Sequence, residues 1–249
     1  MAFAAGHARG SIATDTSHPL RESNHQPIDL VVRFTWRLRS KRQDQTTRSA
    51  AAGPHPAWTP PKEIPAMELV EVGPPTHDVA TDLAYATADN VTGQPIYRHA
   101  RCYLHRDAAQ RLARAIELAG ALGLRLKLFD AFRPSEAQWV LWNRFPNPEF
   151  LADPRRGSPH SRGVAIDLTL VDIAGAELDM GTGFDDFTAR AHHASPHVSA
   201  VAQRNRAILL GIMTAAGWDF YRNEWWHYQL FDARRYPLYS DSALQRGLM

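Results

Sequence analysis

From residue 105 onward the apolar residues recur with two different periods. In "HRDAAQRLARAIELAGALG" (105–123), Leu112, Ile116 and Ala119 share one helical face. Asp107 stands where a cap is needed and Gly123 where a helix stops, so the stretch predicts a helix. "LRLKLF" (124–129) then alternates strictly, with Leu124, Leu126 and Leu128 on one side, which predicts a strand. It runs into "DAFRP", whose Pro134 suits the opening of another helix over "SEAQWVLW". "VAIDLTL" (164–170) alternates again: Val164, Ile166, Leu168 and Leu170 face one way, Ala165, Asp167 and Thr169 the other. "SAVAQRNRAILLGIMTAAG" (199–217) predicts a second long helix, capped by Ser199 and ended by Gly217. "WDFY" and "WWHYQL" read as aromatic-rich strands. Helices and strands mix without a regular βαβ repeat or a glycine-rich phosphate loop, which points to an α+β domain with a largely antiparallel sheet and packed helices.

Residues 1–66 have a different character. They hold nine Lys and Arg against five Asp and Glu, and "SKRQDQTTRSAAAGPHPAWTPPKEIP" is polar, then proline-rich, with no sustained period. We read them as a poorly ordered basic leader without a catalytic role, and 67–249 as the functional domain. Within the leader, "VVRFTWRLR" could form a short basic strand.

Composition narrows the function classes. A formal net charge of +2 over 249 residues gives no electrostatic reason to expect a nucleic-acid or membrane partner. The single cysteine, Cys102, excludes an internal disulfide and thiolate metal clusters, and reads as a small buried residue beside a helix start. No apolar run approaches the roughly 20 residues of a membrane span. The amino terminus lacks a basic region followed by an apolar stretch, so the expected location is cytoplasmic.

Three segments carry chemistry. "SPHSRGVAID" sets His160 seven residues before Asp167, with Gly163 as a turn between them. A carboxylate inside an apolar strand needs a partner, either a base such as Arg162 or a metal. "EWWHY" places Glu224 three residues before His227. Catalytic zinc takes three protein ligands and a water, and His160, Asp167 and His227 would supply such a set, with Glu224 as general base. On a regular strand, residues three apart point to opposite faces, so Glu224 must leave the strand to reach that metal. Arg133 ends the strand in "DAFRP", either paired with Asp130 or Glu136 or placed to stabilise an oxyanion. "AHHASPH" offers His192, His193 and His197 as a competing ligand set.

With "DAFRP", "SPHSRGVAIDLTL" and "EWWHY" in this order, the chain resembles the D-alanyl-D-alanine dipeptidases, zinc metallopeptidases that include the vancomycin-resistance enzymes. "DLAYATADNVTGQPIY", "ARCYLHRDA" and "AQRNRAILLGIMTAAGW" extend the resemblance from about Val70 to about Pro237; residues 1–66 have no counterpart in it. The resemblance implies a single zinc ion held by His160, Asp167 and His227, Glu224 as catalytic base and Arg133 as transition-state stabiliser. It also implies a substrate pocket containing Tyr85, Ser158 and Asp185, and a small dipeptide as substrate. Pro159, where a small or polar residue is expected, biases Ser158 toward extended backbone. Two rival readings use the same metal set: a D,D-carboxypeptidase or endopeptidase acting on longer peptidoglycan stems, and a zinc-binding module without catalysis. The chain is silent on oligomeric state.

Overall fold

The computed structural model describes residues 68–249, so the leader, with its "VVRFTWRLR" stretch, lies outside the described residues. Ten regular elements follow in order: β1 (Leu69–Val72), β2 (Val79–Thr81), β3 (Cys102–His105), α1 (Arg106–Ala121), β4 (Leu124–Asp130), α2 (Ser135–Arg144), β5 (Ala165–Asp172), α3 (Ala200–Ala215), β6 (Asp219–Phe220) and β7 (His227–Gln229). β1 and β3 form an antiparallel pair. The other strands build a five-stranded sheet in the order β2-β4-β5-β7-β6, in which only β2 and β4 run parallel. The architecture is therefore mixed α and β with a mainly antiparallel sheet, as the alternating segments imply.

β5 is the middle strand, and every residue from Ala165 to Val171 is buried. One face carries Ile166, Leu168 and Leu170 into the main core, with Leu126 and Leu128 of β4 beside them. Against that face pack α1, through Leu112, Ala115 and Ala119, and α3, through Leu209 and Met213. Each fully buried Leu or Met contributes about 1.5–3 kcal/mol. A second cluster, with Tyr85, Tyr97, Phe132, Ala137 and Leu141, is built from α2 and the segment before β3. The polar residues of β5, Asp167 and Thr169, are buried as well, so the second face of this strand is an interior surface rather than a solvated one.

The caps differ in one respect from the sequence expectation. α3 is capped by Ser199, whose side chain accepts from the Ala202 N–H at 3.0 Å. α1 is capped instead by His105, whose Nδ1 accepts from the Asp107 N–H at 3.2 Å. Asp107 lies inside the first turn, where a carboxylate complements the helix dipole. The "WWHYQL" strand is also shorter than expected. Trp225 and Trp226 belong to the loop joining β6 to β7, and the strand begins at His227.

Candidate metal and active site

Sheet register brings the chemistry together. Asp130 of β4 pairs with Asp167 of β5, and Asp167 pairs with His227 of β7, so three polar side chains stand abreast on one face. Strict alternation from Leu126 and Leu128 would turn Asp130 toward the apolar core. A register shift between Leu128 and Asp130 inserts an extra residue and re-aims it. His160 arrives from a different element, a single 3-10 turn (His160–Arg162) ended by Gly163 at φ +68°. A Cβ on Gly163 would meet Leu69 Cδ2 at 2.5 Å and the His105 backbone nitrogen at 3.0 Å, so both conformation and space require glycine there.

The ring orientations of both histidines are set by their outer nitrogens. His160 Nδ1 lies 2.7 Å from the Ala131 carbonyl, which can only accept, so Nδ1 carries the proton and Nε2 a lone pair. His227 Nε2 faces Gln229 Oε1 at 3.2 Å, which likewise leaves Nδ1 as the free lone pair. These two inner nitrogens are 3.1 Å apart. Asp167 Oδ1 is 3.0 Å from His227 Nδ1, and Oδ2 is 3.3 Å from His160 Nε2. Three buried acceptors thus converge with no proton among them, an arrangement that demands a cation in their midst. Two imidazoles and a carboxylate suit zinc chemistry, with the far ring nitrogens anchored as metal-ligating histidines require. Among the described residues these three form the His/Cys/Asp/Glu group close enough to hold a metal. Burial alone would raise the Asp167 carboxyl, but the adjacent His160 and then His227 outweigh it and hold the carboxyl well below the usual carboxylate range, ionised as a metal ligand must be.

Glu224 sits in the β6–β7 loop, not in the strand, which resolves the difficulty of its spacing from His227. Its Oε2 lies 3.9 Å from His227 Nδ1, and it is buried. Burial, then the charges of Asp167 and Asp185, push its carboxyl well above the ordinary range, against the pull of Arg133. Trp225 locks this loop by donating from Nε1 to Thr182 Oγ1 at 2.7 Å, while Trp226 packs edge-on to Phe184 and lines the cavity. Arg133 forms the ion pair with Asp130 and also faces the candidate metal group. Its Nε donates to Asp130 Oδ2 at 2.8 Å, and its NH2 reaches Asp167 Oδ2 at 3.4 Å beside the metal group. The alternative partner, Glu136, instead accepts from the Asp241 N–H.

These groups line a cavity of about 200 Å³. The family model described as D-ala-D-ala dipeptidase matches residues 65–245. The chain belongs to that family. It is 48% identical over 174 residues to a D-alanyl-D-alanine dipeptidase of Escherichia coli (strain K12), covering 70% of this chain and 90% of that relative. A D-alanyl-D-alanine dipeptidase of Enterococcus faecium is 38% identical over 177 residues, covering 63% and 88%.

The pocket residues implied by the family pattern also line this cavity. The Tyr85 hydroxyl donates to Asp185, at 3.2 and 3.1 Å from its two oxygens, and the Arg133 guanidinium lies 4.8 Å from the centre of the Tyr85 ring. Asp185 adopts φ +58°. Its carboxyl is raised to about 7, first by burial and also by Asp167, with Arg133 opposing. Ser158 is buried, and its Oγ accepts from the His160 N–H at 3.2 Å, so the turn that presents the histidine also fixes the serine.

His192, His193 and His197 do not form the competing ligand set. His193 stacks edge-on with Phe220, and burial lowers its imidazole to about 4; His192 lies 3.6 Å from Glu149. The three do not come close enough to one another to share a metal among the described residues. Cys102 is buried in the main core, as expected.

Gln138 and Gln229 escaped the sequence reading, and Asp130 entered it only as a possible ion-pair partner of Arg133. Asp130 orients Arg133 and accepts from the Tyr97 hydroxyl at 2.9 Å. Gln138 of α2 accepts from Arg133 NH1 at 3.1 Å. Gln229 anchors His227. Asp130 and Gln229 were visible as polar residues flanking the motifs; Gln138 carried no signal, because only the packing of α2 brings it to the site.

Proposed function

We propose that this protein hydrolyses D-alanyl-D-alanine to two D-alanines in a zinc-dependent reaction. The observation that carries the reading is the buried acceptor-only group His160, Asp167 and His227 at a cavity that also holds Glu224, in a chain of this family. Zinc held there would acidify a water and polarise the scissile carbonyl. Glu224, with its raised proton affinity, takes a proton from the attacking water and gives it to the leaving amine. Arg133 supplies a fixed positive charge for the developing oxyanion, and Asp130 and Gln138 hold its guanidinium in place. Asp185, supported by Tyr85, pairs with the free ammonium of the substrate and so favours a dipeptide over a longer chain. Ser158 offers a hydroxyl to the peptide. We assign this activity to residues 67–249 and none of it to residues 1–66, and place the protein in the cytoplasm. No helix among the described residues is long and apolar enough to cross a membrane.

The deciding experiment is D-alanine release from D-alanyl-D-alanine, with and without chelation, beside the L,L dipeptide and a pentapeptide ending in D-Ala-D-Ala. Chelator-sensitive cleavage of the D,D dipeptide alone is expected. Cleavage of the pentapeptide as well would move the protein to the carboxypeptidase class, and silence toward all three with zinc bound would leave a binding module.

A further inference from the structure

Next to the catalytic cavity lies a second concavity of about 760 Å³, walled by Gly157, Pro159, Arg162, Gln229, Arg234 and Arg235, with Asp232 also on its lining. Pro159 and Gln229 belong to both cavities. The charges around it do not balance. Arg235 lies 3.8 Å from Asp107 and donates to the Tyr236 hydroxyl at 2.6 Å. Arg162 and Arg234 have no carboxylate within ion-pair distance among the described residues, and Arg162 spends one N–H on the Tyr236 carbonyl. The backbone of Gly157 closes over the Arg162 guanidinium: a Cβ there would lie 3.0 Å from NH2 and 2.6 Å from Leu238 Cδ2. Arg162 is therefore clamped rather than free to swing into solvent. Arg234 also lines the neighbouring groove, where Arg156 adds a further positive side chain.

Holding guanidinium groups together in a concave surface costs energy unless an anion sits between them, and a fork of N–H donors matches an oxyanion. We propose that this second cavity is an oxyanion-binding site, taking a phosphate or carboxylate group between Arg162 and Arg234. Its occupant would adjoin the catalytic cavity, because Gln229 forms part of both walls and accepts the outer N–H of His227. The inference does not depend on the dipeptidase reading, since binding is measured without turnover.

Calorimetric titration of the zinc-loaded protein tests it, with inorganic phosphate in one arm and D-alanine in the other. Arg234→Gln is the informative variant, because Arg234 is exposed and makes no hydrogen bond among the described residues, so the fold does not rest on it. Arg114→Gln, outside the cavity and paired with Glu117, controls for the loss of one positive charge. The expected result is phosphate binding weakened at least tenfold by Arg234→Gln and unchanged by Arg114→Gln. The same pattern with D-alanine would assign the site to a carboxylate. Phosphate affinity equal in wild type and Arg234→Gln would place the anion at the metal instead and overturn the proposal. So would a folded wild-type protein that binds neither probe.

Discussion

Glu224 lies close enough to the three-acceptor group to serve it, yet its Oε2 is 3.9 Å from the nearest His227 nitrogen, beyond hydrogen-bond length. Glu224→Gln should therefore keep zinc at one per chain, by metal analysis, while turnover falls by about 10²–10⁴-fold. Equal activity would remove Glu224 from the mechanism. Asp130→Asn should lower kcat/KM by about 10–100-fold, because Arg133 loses the carboxylate that aims it. Its effect should fall on kcat more than on KM, since Arg133 is assigned to the transition state. Asp185 carries the pH prediction. Its folded-state carboxyl titrates near 7, above the ordinary value of about 3.9. Ionising it in the fold therefore costs stability. That cost is absent below the unfolded value, grows as pH rises toward 7, and then levels off. Binding of an ammonium needs the ionised form, so KM for the dipeptide should rise as pH falls through about 7. Asp185→Asn should raise KM and flatten this dependence, read from KM–pH profiles of both proteins.

The short turn between the α2 region and β5 illustrates how a single element sets catalytic geometry. His160 and Asp167 are seven residues apart, but they meet because a 3-10 turn is followed by one left-handed residue and then an extended strand. Gly163→Ala would force a side chain into the left-handed region and against the His105 backbone. The expected cost is about 2–3 kcal/mol, from backbone strain plus overpacking. Urea unfolding measures this cost, and zinc affinity should fall with it because His160 is displaced. A variant with unchanged stability and affinity would show that the turn relaxes freely. The β6–β7 loop plays the matching part for Glu224. Its tryptophans are a structural frame: Trp225 is tied to Thr182, and the Trp226 carbonyl accepts from the Leu168 N–H of β5 at 3.1 Å.

Across the molecule, the sheet divides an apolar side, covered by α1 and α3, from a polar side that holds the site. The two are joined through β5, which contributes Ile166 and Leu168 to one and Asp167 to the other. A metal held by Asp167 would therefore be linked to folding through the central strand. Zinc in hundredfold excess over its dissociation constant should stabilise the protein by about 2.7 kcal/mol. Thermal melts with and without chelator should show this gain in wild type and in Glu224→Gln. His227→Ala, which removes a ligand, should lose it.

The main elements were legible in the chain because each depends on local periodicity: leucines of α1 and β4 at their own spacings, Ser199 as cap, glycines where helices stop. His160, Asp167, His227 and Glu224 were legible as candidates through their motifs and the family those motifs resemble, and the fold brings all four to one cavity. Three things needed the folded molecule. The bulge after Leu128 overrides strict alternation and turns Asp130 toward Asp167 instead of the core. The start of β7 at His227 places Glu224 and both tryptophans in a loop, where strand parity no longer applies. Gln138 and the unbalanced arginines beside the site come together only through packing of distant segments. A sequence reports what a residue can do and how its neighbours repeat; register between strands, and the company kept across it, is decided by which faces must be buried together.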